Sequence, residues 1–177
     1  MRIALIRHTA PLIAPGTCYG RLDIPVAPDA EADIAGMIPG LHGTSRVWSS
    51  PARRCRGPAE AIAAALAVPL HTDPRLQELD FGAWEGSAWD AIERTALDRW
   101  AASPLTFAPP GGETGTALID RIRAFHEDLQ RDAQDCVIVS HGGPLKVLSA
   151  LLLGRLVDLL APAPKLGSIM IIDRRTV

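Results

Sequence analysis

The sequence is poor in cysteine, in net charge and in long apolar runs, and each shortage removes a class of protein. Its three cysteines, at positions 18, 55 and 136, are odd in number, far apart and free of any Cys-x-x-Cys pairing. This argues against a disulfide framework and against a thiolate metal site, and makes a reducing cytoplasm the expected setting with no metal or other cofactor. A formal net charge of -2 at pH 7 supplies no broad basic face for nucleic acid, so an anionic ligand has to be recognised by a local group of residues. The longest apolar stretch, around Val147 to Leu153, is broken by Gly154 and Arg155 before it can span a bilayer. The N-terminal run Ile3 to Ile6 is too short for a leader and is closed by Arg7, so neither a membrane segment nor export is expected. No internal repeat or interdomain linker is visible, and nothing specifies an oligomeric state.

What is present is an ordinary globular composition. A chain of 177 residues with a hydrophobic fraction of 47% and a charged fraction of 21% can bury a core without staples, which predicts one domain over residues 1–177. Ile3 to Ile6 and Cys136 to Val139 are short continuous apolar runs, the pattern of strands buried on both faces of a parallel sheet. Val47 to Ser49 and Ser168 to Ile172 read as further strands. Helices are expected from Asp29 to Met37, from the Ser50-Pro51 start signal onward, over Glu113 to Ala133, and from His141-Gly142-Gly143-Pro144 to about Leu153. Pro58 should kink or restart the second of these near Gly57. The third carries Leu118, Ile122, Phe125 and Leu129 on one stripe, with Asp120, Arg121, Glu127 and Asp128 off it. Alternating strands and helices predict an α/β fold, a three-layer sandwich with a mainly parallel central sheet and helices on both faces. The Pro- and Gly-rich segments 11–20 and 101–112 read as loops at the mouth of a site.

Two of the apolar runs end in polar pairs, Arg7-His8 and Ser140-His141. Ligands of such sheets bind beyond the carboxyl ends of the strands, so both histidines reach the same edge from independent segments. Gly142 and Gly143 follow His141 at a helix start, where free amides and the dipole favour an anion. Arg7 and one arginine from the Ser49 to Arg54 junction can clamp phosphoryl oxygens, while a histidine nitrogen acts as nucleophile without a metal ion. Arg53 and Arg56 lie close enough to compete with Arg54 for that place. A proton donor for the leaving oxygen is available among Glu78, Asp80 and Glu85, and composition does not choose between them. His42, His71 and His126 lack this setting and read as surface or hydrogen-bonded residues. Trp84, Trp89 and Trp100 read as packing aromatics.

Four separated segments, in order, resemble the motifs of the histidine phosphatase superfamily, which includes the cofactor-dependent phosphoglycerate mutases. They are Ile6-Arg7-His8-Thr9, Ser49-Ser50-Pro51-Ala52-Arg53-Arg54, Leu76-Gln77-Glu78 with Phe81-Gly82 and Trp84-Glu85-Gly86, and Ser140-His141-Gly142-Gly143. The segment Pro109 to Thr114 is also similar to one of the family's. This resemblance implies a phosphoglycerate mutase-like fold and a phosphoric monoester hydrolase in which His8 is the nucleophile. It further implies that Arg7, Arg54 and His141 bind the transferred phosphoryl group and that Glu78 is the general acid that later activates water. Thr9 stands where the family has glycine, and the following loop carries Leu12, Ile13 and Ala14 in place of a phosphate-contacting asparagine.

The stretch Gly16 to Asp23 resembles an alpha-ribazole phosphatase subgroup of cobalamin synthesis. On that likeness the partner is a small phosphorylated substrate, alpha-ribazole 5'-phosphate, held by Thr9, Tyr19, Gly20 and Gly142. The same residue set also serves a phosphoglycerate mutase, a broad-specificity or phosphohistidine protein phosphatase, or a non-catalytic phospholigand-binding module. The short chain and the full set of catalytic residue types favour the hydrolase.

Overall fold

The computed structural model describes residues 1–28 and 30–174, with side chains described for all of these except 30–33. Five strands, β1 (Arg2–Arg7), β2 (Arg46–Ser49), β3 (Leu70–Thr72), β4 (Cys136–Ser140) and β5 (Ile169–Asp173), form one sheet in the order β3-β2-β4-β1-β5. The first four are mutually parallel and β5 runs antiparallel to β1. The fold is therefore the mainly parallel α/β sheet expected from the alternating pattern. Helices α1 (Ala30–Met37), α2 (Arg53–Leu66), α3 (Arg94–Ala102), α4 (Gly115–Asp132) and α5 (Gly142–Leu152) complete it. Asp29, the expected first residue of α1, lies outside the described residues. Among the described residues no helix is long and apolar enough to cross a membrane.

Side-chain alternation along β1 builds two cores. Ile3 and Leu5 face Leu118, Ile122, Phe125 and Leu129 of α4 with Leu145 and Leu148 of α5, whereas Ala4 and Ile6 face Cys55, Ala59 and Ile62 of α2 with Ile34 and Met37 of α1. Helices thus cover both faces. Burying each of these large side chains contributes roughly 1.5–3 kcal/mol. Thr114 caps α4, its hydroxyl accepting from the Ala117 amide at 3.1 Å.

Local expectations fail where tertiary packing wins. The Ser50-Pro51 pair does not cap a helix: α2 begins at Arg53, and Ala52 holds the N-cap position without a side-chain bond. The Ser50 amide instead donates to the Val139 carbonyl at 3.0 Å, prolonging the sheet by one residue. Pro58 does not interrupt α2, which runs unbroken to Leu66 with Pro58 buried inside it. Cys55, Ala59 and Ile62 pack against the sheet on either side of it, and this burial exceeds the one backbone bond a proline removes. The helix expected from Glu113 starts at Gly115, and the first two residues of the expected 101–112 loop belong to α3.

Candidate active site

Strands β1, β2 and β4 end at one edge, with Arg7 level with Ser140 and Ser49 level with Val139. The residues that follow, His8, Ser50 and His141, therefore emerge side by side. The His8 amide donates to the Ser140 carbonyl at 3.0 Å, and the two histidine rings lie 5.2 Å apart at 67°. The Tyr19 ring also approaches His8, with ring centroids 6.5 Å apart.

His8 is 1% exposed, and its Nδ1 lies 2.7 Å from the Thr9 carbonyl oxygen. A carbonyl can only accept, so Nδ1 carries the proton and Nε2 keeps its lone pair. Burial pushes the imidazole down to about 3, and the Arg54 and Arg7 charges act in the same direction against the Thr9 hydrogen bond. An imidazole held this low is neutral near pH 7, the form in which a ring nitrogen can act as a nucleophile. His141, also buried, is held well below the usual histidine value by burial and then by Arg54 and His8. Its Nε2 is 2.8 Å from Ser50 Oγ and 3.5 Å from Cys55 Sγ.

Of the three neighbouring arginines only Arg54 is turned inward. Arg53 and Arg56 are exposed, Arg56 pairing with Glu60 at 3.0 Å, whereas Arg54 is fully buried. Its Nη1 donates to the Leu22 carbonyl at 2.6 Å and its Nη2 to that of Gly20, while the guanidinium carbon lies 5.4 Å from the Tyr19 ring centroid. Arg7 Nη1 donates to the Pro164 carbonyl at 2.6 Å. Arg7 Nε, Arg54 Nε and Thr9 Oγ1 are buried without a hydrogen-bond partner. Unpaired donors of this kind are costly in a protein interior, and an anionic ligand is a group that can satisfy them.

Among the acidic candidates, Glu85 accepts from the Phe81, Arg21 and Leu22 amides at 2.7–3.0 Å and ties two loops together. Asp80 accepts from the Gly82 amide at 2.8 Å. Glu78 alone of the three lines a cavity of about 160 Å³, together with Arg7, Gly142 and Lys146 and with apolar walls that include Phe81, Trp100, Leu118 and Leu159. Its carboxylate accepts from the Leu79 amide at 2.9 Å and from the Gly143 amide at 3.1 Å. Gly143 is a close-approach position, because a Cβ there would collide with that carboxylate.

The fold brings His8, Thr9, His141, Tyr19 and Arg54 together through successive contacts, with Arg7 against Gly142 and Glu78 on the cavity that those two line. Gly20 is present in another capacity: it packs against the Leu79 carbonyl and gives its own carbonyl to Arg54. Away from the site, His42 and His71 are exposed, His71 lying against Trp48, and His126 contacts Gln130. Trp84 is buried, and Trp89 and Trp100 pack with it, Trp100 also walling the cavity. Among the described residues no group of three His, Cys, Asp or Glu is placed to hold a metal ion. Neighbours that escaped sequence reasoning include Ser50, because Ser-Pro signals a cap; Cys55, because a lone thiol signals nothing; Arg121, because it flanks an apolar helical stripe; and Lys146, which lies within an apolar helix.

Residues 3–175 match the histidine phosphatase superfamily (branch 1). The chain is 32% identical over 166 residues to the adenosylcobalamin/alpha-ribazole phosphatase of Salmonella typhimurium, covering 86% of this chain and 80% of that one. It is 31% identical over 162 residues to phosphoserine phosphatase 1 of Hydrogenobacter thermophilus, covering 87% and 77%. Other relatives are longer, and the match spans 34% of their length. The crystal structure of the alpha-ribazole phosphatase from Shigella flexneri superimposes with a TM-score of 0.87 at 26% identity, covering 98% of this chain and 90% of that one.

Proposed function

The chain belongs to the histidine phosphatase superfamily and is a phosphoric monoester hydrolase, and from this premise we propose that it works through a phosphohistidine at His8 on alpha-ribazole 5'-phosphate. The observation that carries the mechanism is the neutral His8 ring with its free Nε2, set beside buried guanidinium nitrogens that have no partner. The phosphoryl group sits among Arg7, Arg54, His141 and the Thr9 hydroxyl, whose donors stabilise charge on its equatorial oxygens. His8 Nε2 attacks phosphorus, and the ester P–O bond breaks as the leaving oxygen takes the Glu78 proton. Water then attacks the phosphohistidine and gives a proton to Glu78, the P–N bond breaks, and phosphate leaves with both residues restored.

Two observations support the substrate. Relatives bearing that activity match most of the chain in sequence and fold. The cavity beside Glu78, on the side where the leaving group departs, is walled by Phe81, Trp100, Leu118 and Leu159, a surface suited to a flat aromatic base such as benzimidazole. Phosphoserine is the second reading, favoured by the Hydrogenobacter relative, but its zwitterionic leaving group gains little from aromatic walls.

Protein incubated with labelled substrate and quenched in alkaline detergent should carry base-stable, acid-labile phosphate, and His8→Ala should lose both label and turnover. Full turnover in His8→Ala would sink the mechanism. A kcat/KM for phosphoserine above that for alpha-ribazole 5'-phosphate would reverse the substrate assignment.

A further inference from the structure

Arg121 occupies the polar flank of α4, where a charged side chain would ordinarily face solvent. It is instead half-buried and turns both terminal nitrogens of its guanidinium to the segment that carries Glu78. Nη1 donates to the Gln77 carbonyl at 2.6 Å and to the Arg75 carbonyl, and Nη2 donates to the carbonyl of Glu78 itself at 3.0 Å. The guanidinium is aimed by a bidentate pair with Glu113, from Nε at 2.7 Å and Nη2 at 2.9 Å. Glu113 is fixed in turn, its amide donating to the Asp80 carbonyl at 2.9 Å and its carboxylate facing Arg21 Nη2 at 3.5 Å.

We propose that Arg121 is a positioning residue for leaving-group protonation: by gripping the main chain at 75, 77 and 78 it sets where the Glu78 carboxyl stands relative to His8. The inference rests on the reading of Glu78 as the general acid. Among the described residues the Glu78 carboxylate is anchored by two backbone amides, those of Leu79 and Gly143, and it sits on an irregular segment outside any strand or α-helix. A carboxyl on such a segment keeps its place only if the backbone beneath it is held. The planar guanidinium, with five donors in a fixed fork, can hold three carbonyls and a carboxylate at once, which an ammonium cannot.

The test compares leaving groups. Proton donation matters for an alkoxide and little for p-nitrophenolate, which departs unaided. Arg121→Met should slow His8 phosphorylation by a simple alkyl phosphate by about 100-fold, the lower range of general acid catalysis. The pre-steady-state burst of p-nitrophenol from p-nitrophenyl phosphate should change by less than about 3-fold, since the His8, Arg7 and Arg54 geometry is untouched. Arg121→Lys should give the same selectivity at smaller amplitude, and it replaces the Met variant if that protein does not fold. Because both substrates are assayed on one sample, the ratio does not depend on the folded fraction. Equal loss on both substrates, or loss on neither, would overturn the proposal. Glu78→Gln is run alongside: if it shows no leaving-group selectivity, the acid reading itself fails, whereas selectivity in Glu78→Gln without it in Arg121→Met refutes only the role of Arg121.

Discussion

Gly143→Ala separates activity from stability in opposite directions. Gly143 is the second residue of α5, and its φ lies outside the positive range, so the backbone accepts alanine. The added methyl, however, would stand inside 3.0 Å of Glu78 Oε1, against the 3.4 Å at which ordinary contact begins. The carboxylate is the free end of a flexible side chain and yields by on the order of 1 Å. A displacement of that size costs about 100-fold in rate, or about 2.7 kcal/mol of transition-state stabilisation. Stability should hardly change. Alanine favours the helix by up to about 1 kcal/mol over glycine, and the weakened Gly143 amide bond to Glu78 takes back about as much. The assay is kcat/KM on an alkyl phosphate paired with urea unfolding of the same preparation. Unchanged kcat/KM would refute the placement of Glu78 in the reaction, and an activity loss matched by more than about 2 kcal/mol of destabilisation would refute the steric reasoning.

Acid should weaken the fold through His8. Its native value of about 3 lies below the ordinary 6.5, so between these limits the unfolded chain binds a proton that the native state refuses. The stability is fully present above pH 6.5 and is lost as pH falls toward 3, about 2 kcal/mol of it by pH 5, and His141 shifts in the same sense. Urea midpoints in phosphate-free buffer at pH 7 and pH 5 should converge in His8→Asn relative to the parent; an unaltered gap would contradict the assignment. Ala133 ends α4 at φ 51°, a left-handed conformation that costs a residue with a Cβ about 1–2 kcal/mol. Ala133→Gly should raise the thermal midpoint by about 2–4 °C, and a lowered midpoint would show that the cap is not strained.

The histidines were legible because a buried strand that ends in a polar residue is a strong local pattern, and two such endings, at Arg7-His8 and Ser140-His141, meet in a parallel sheet. Arg54 was not separable from Arg53 and Arg56 by composition. The choice is made by the phase of α2, whose inward face runs through Arg54, Cys55, Pro58, Ala59 and Ile62, and that phase depends on where the helix begins, which the misleading Ser50-Pro51 signal obscured. Choosing Glu78 over Asp80 and Glu85 needed family resemblance, because all three lie on irregular backbone with no periodicity to orient them. Arg121 was hidden for a related reason: helical spacing tells which residues face the core, and says nothing of a long side chain that reaches past the stripe to a neighbouring loop.

Two of the inward guanidiniums, Arg54 and Arg121, grip main-chain carbonyls at Gly20, Leu22, Arg75, Gln77 and Glu78. Carbonyls are common to every amino acid, so positions such as Leu22 and Gln77 can be exchanged without breaking the contacts that shape the site. Those side chains are thereby free to drift in identity while the backbone path that the two arginines hold stays the same. A scaffold wired through its backbone tolerates rewriting of its loops without losing their course.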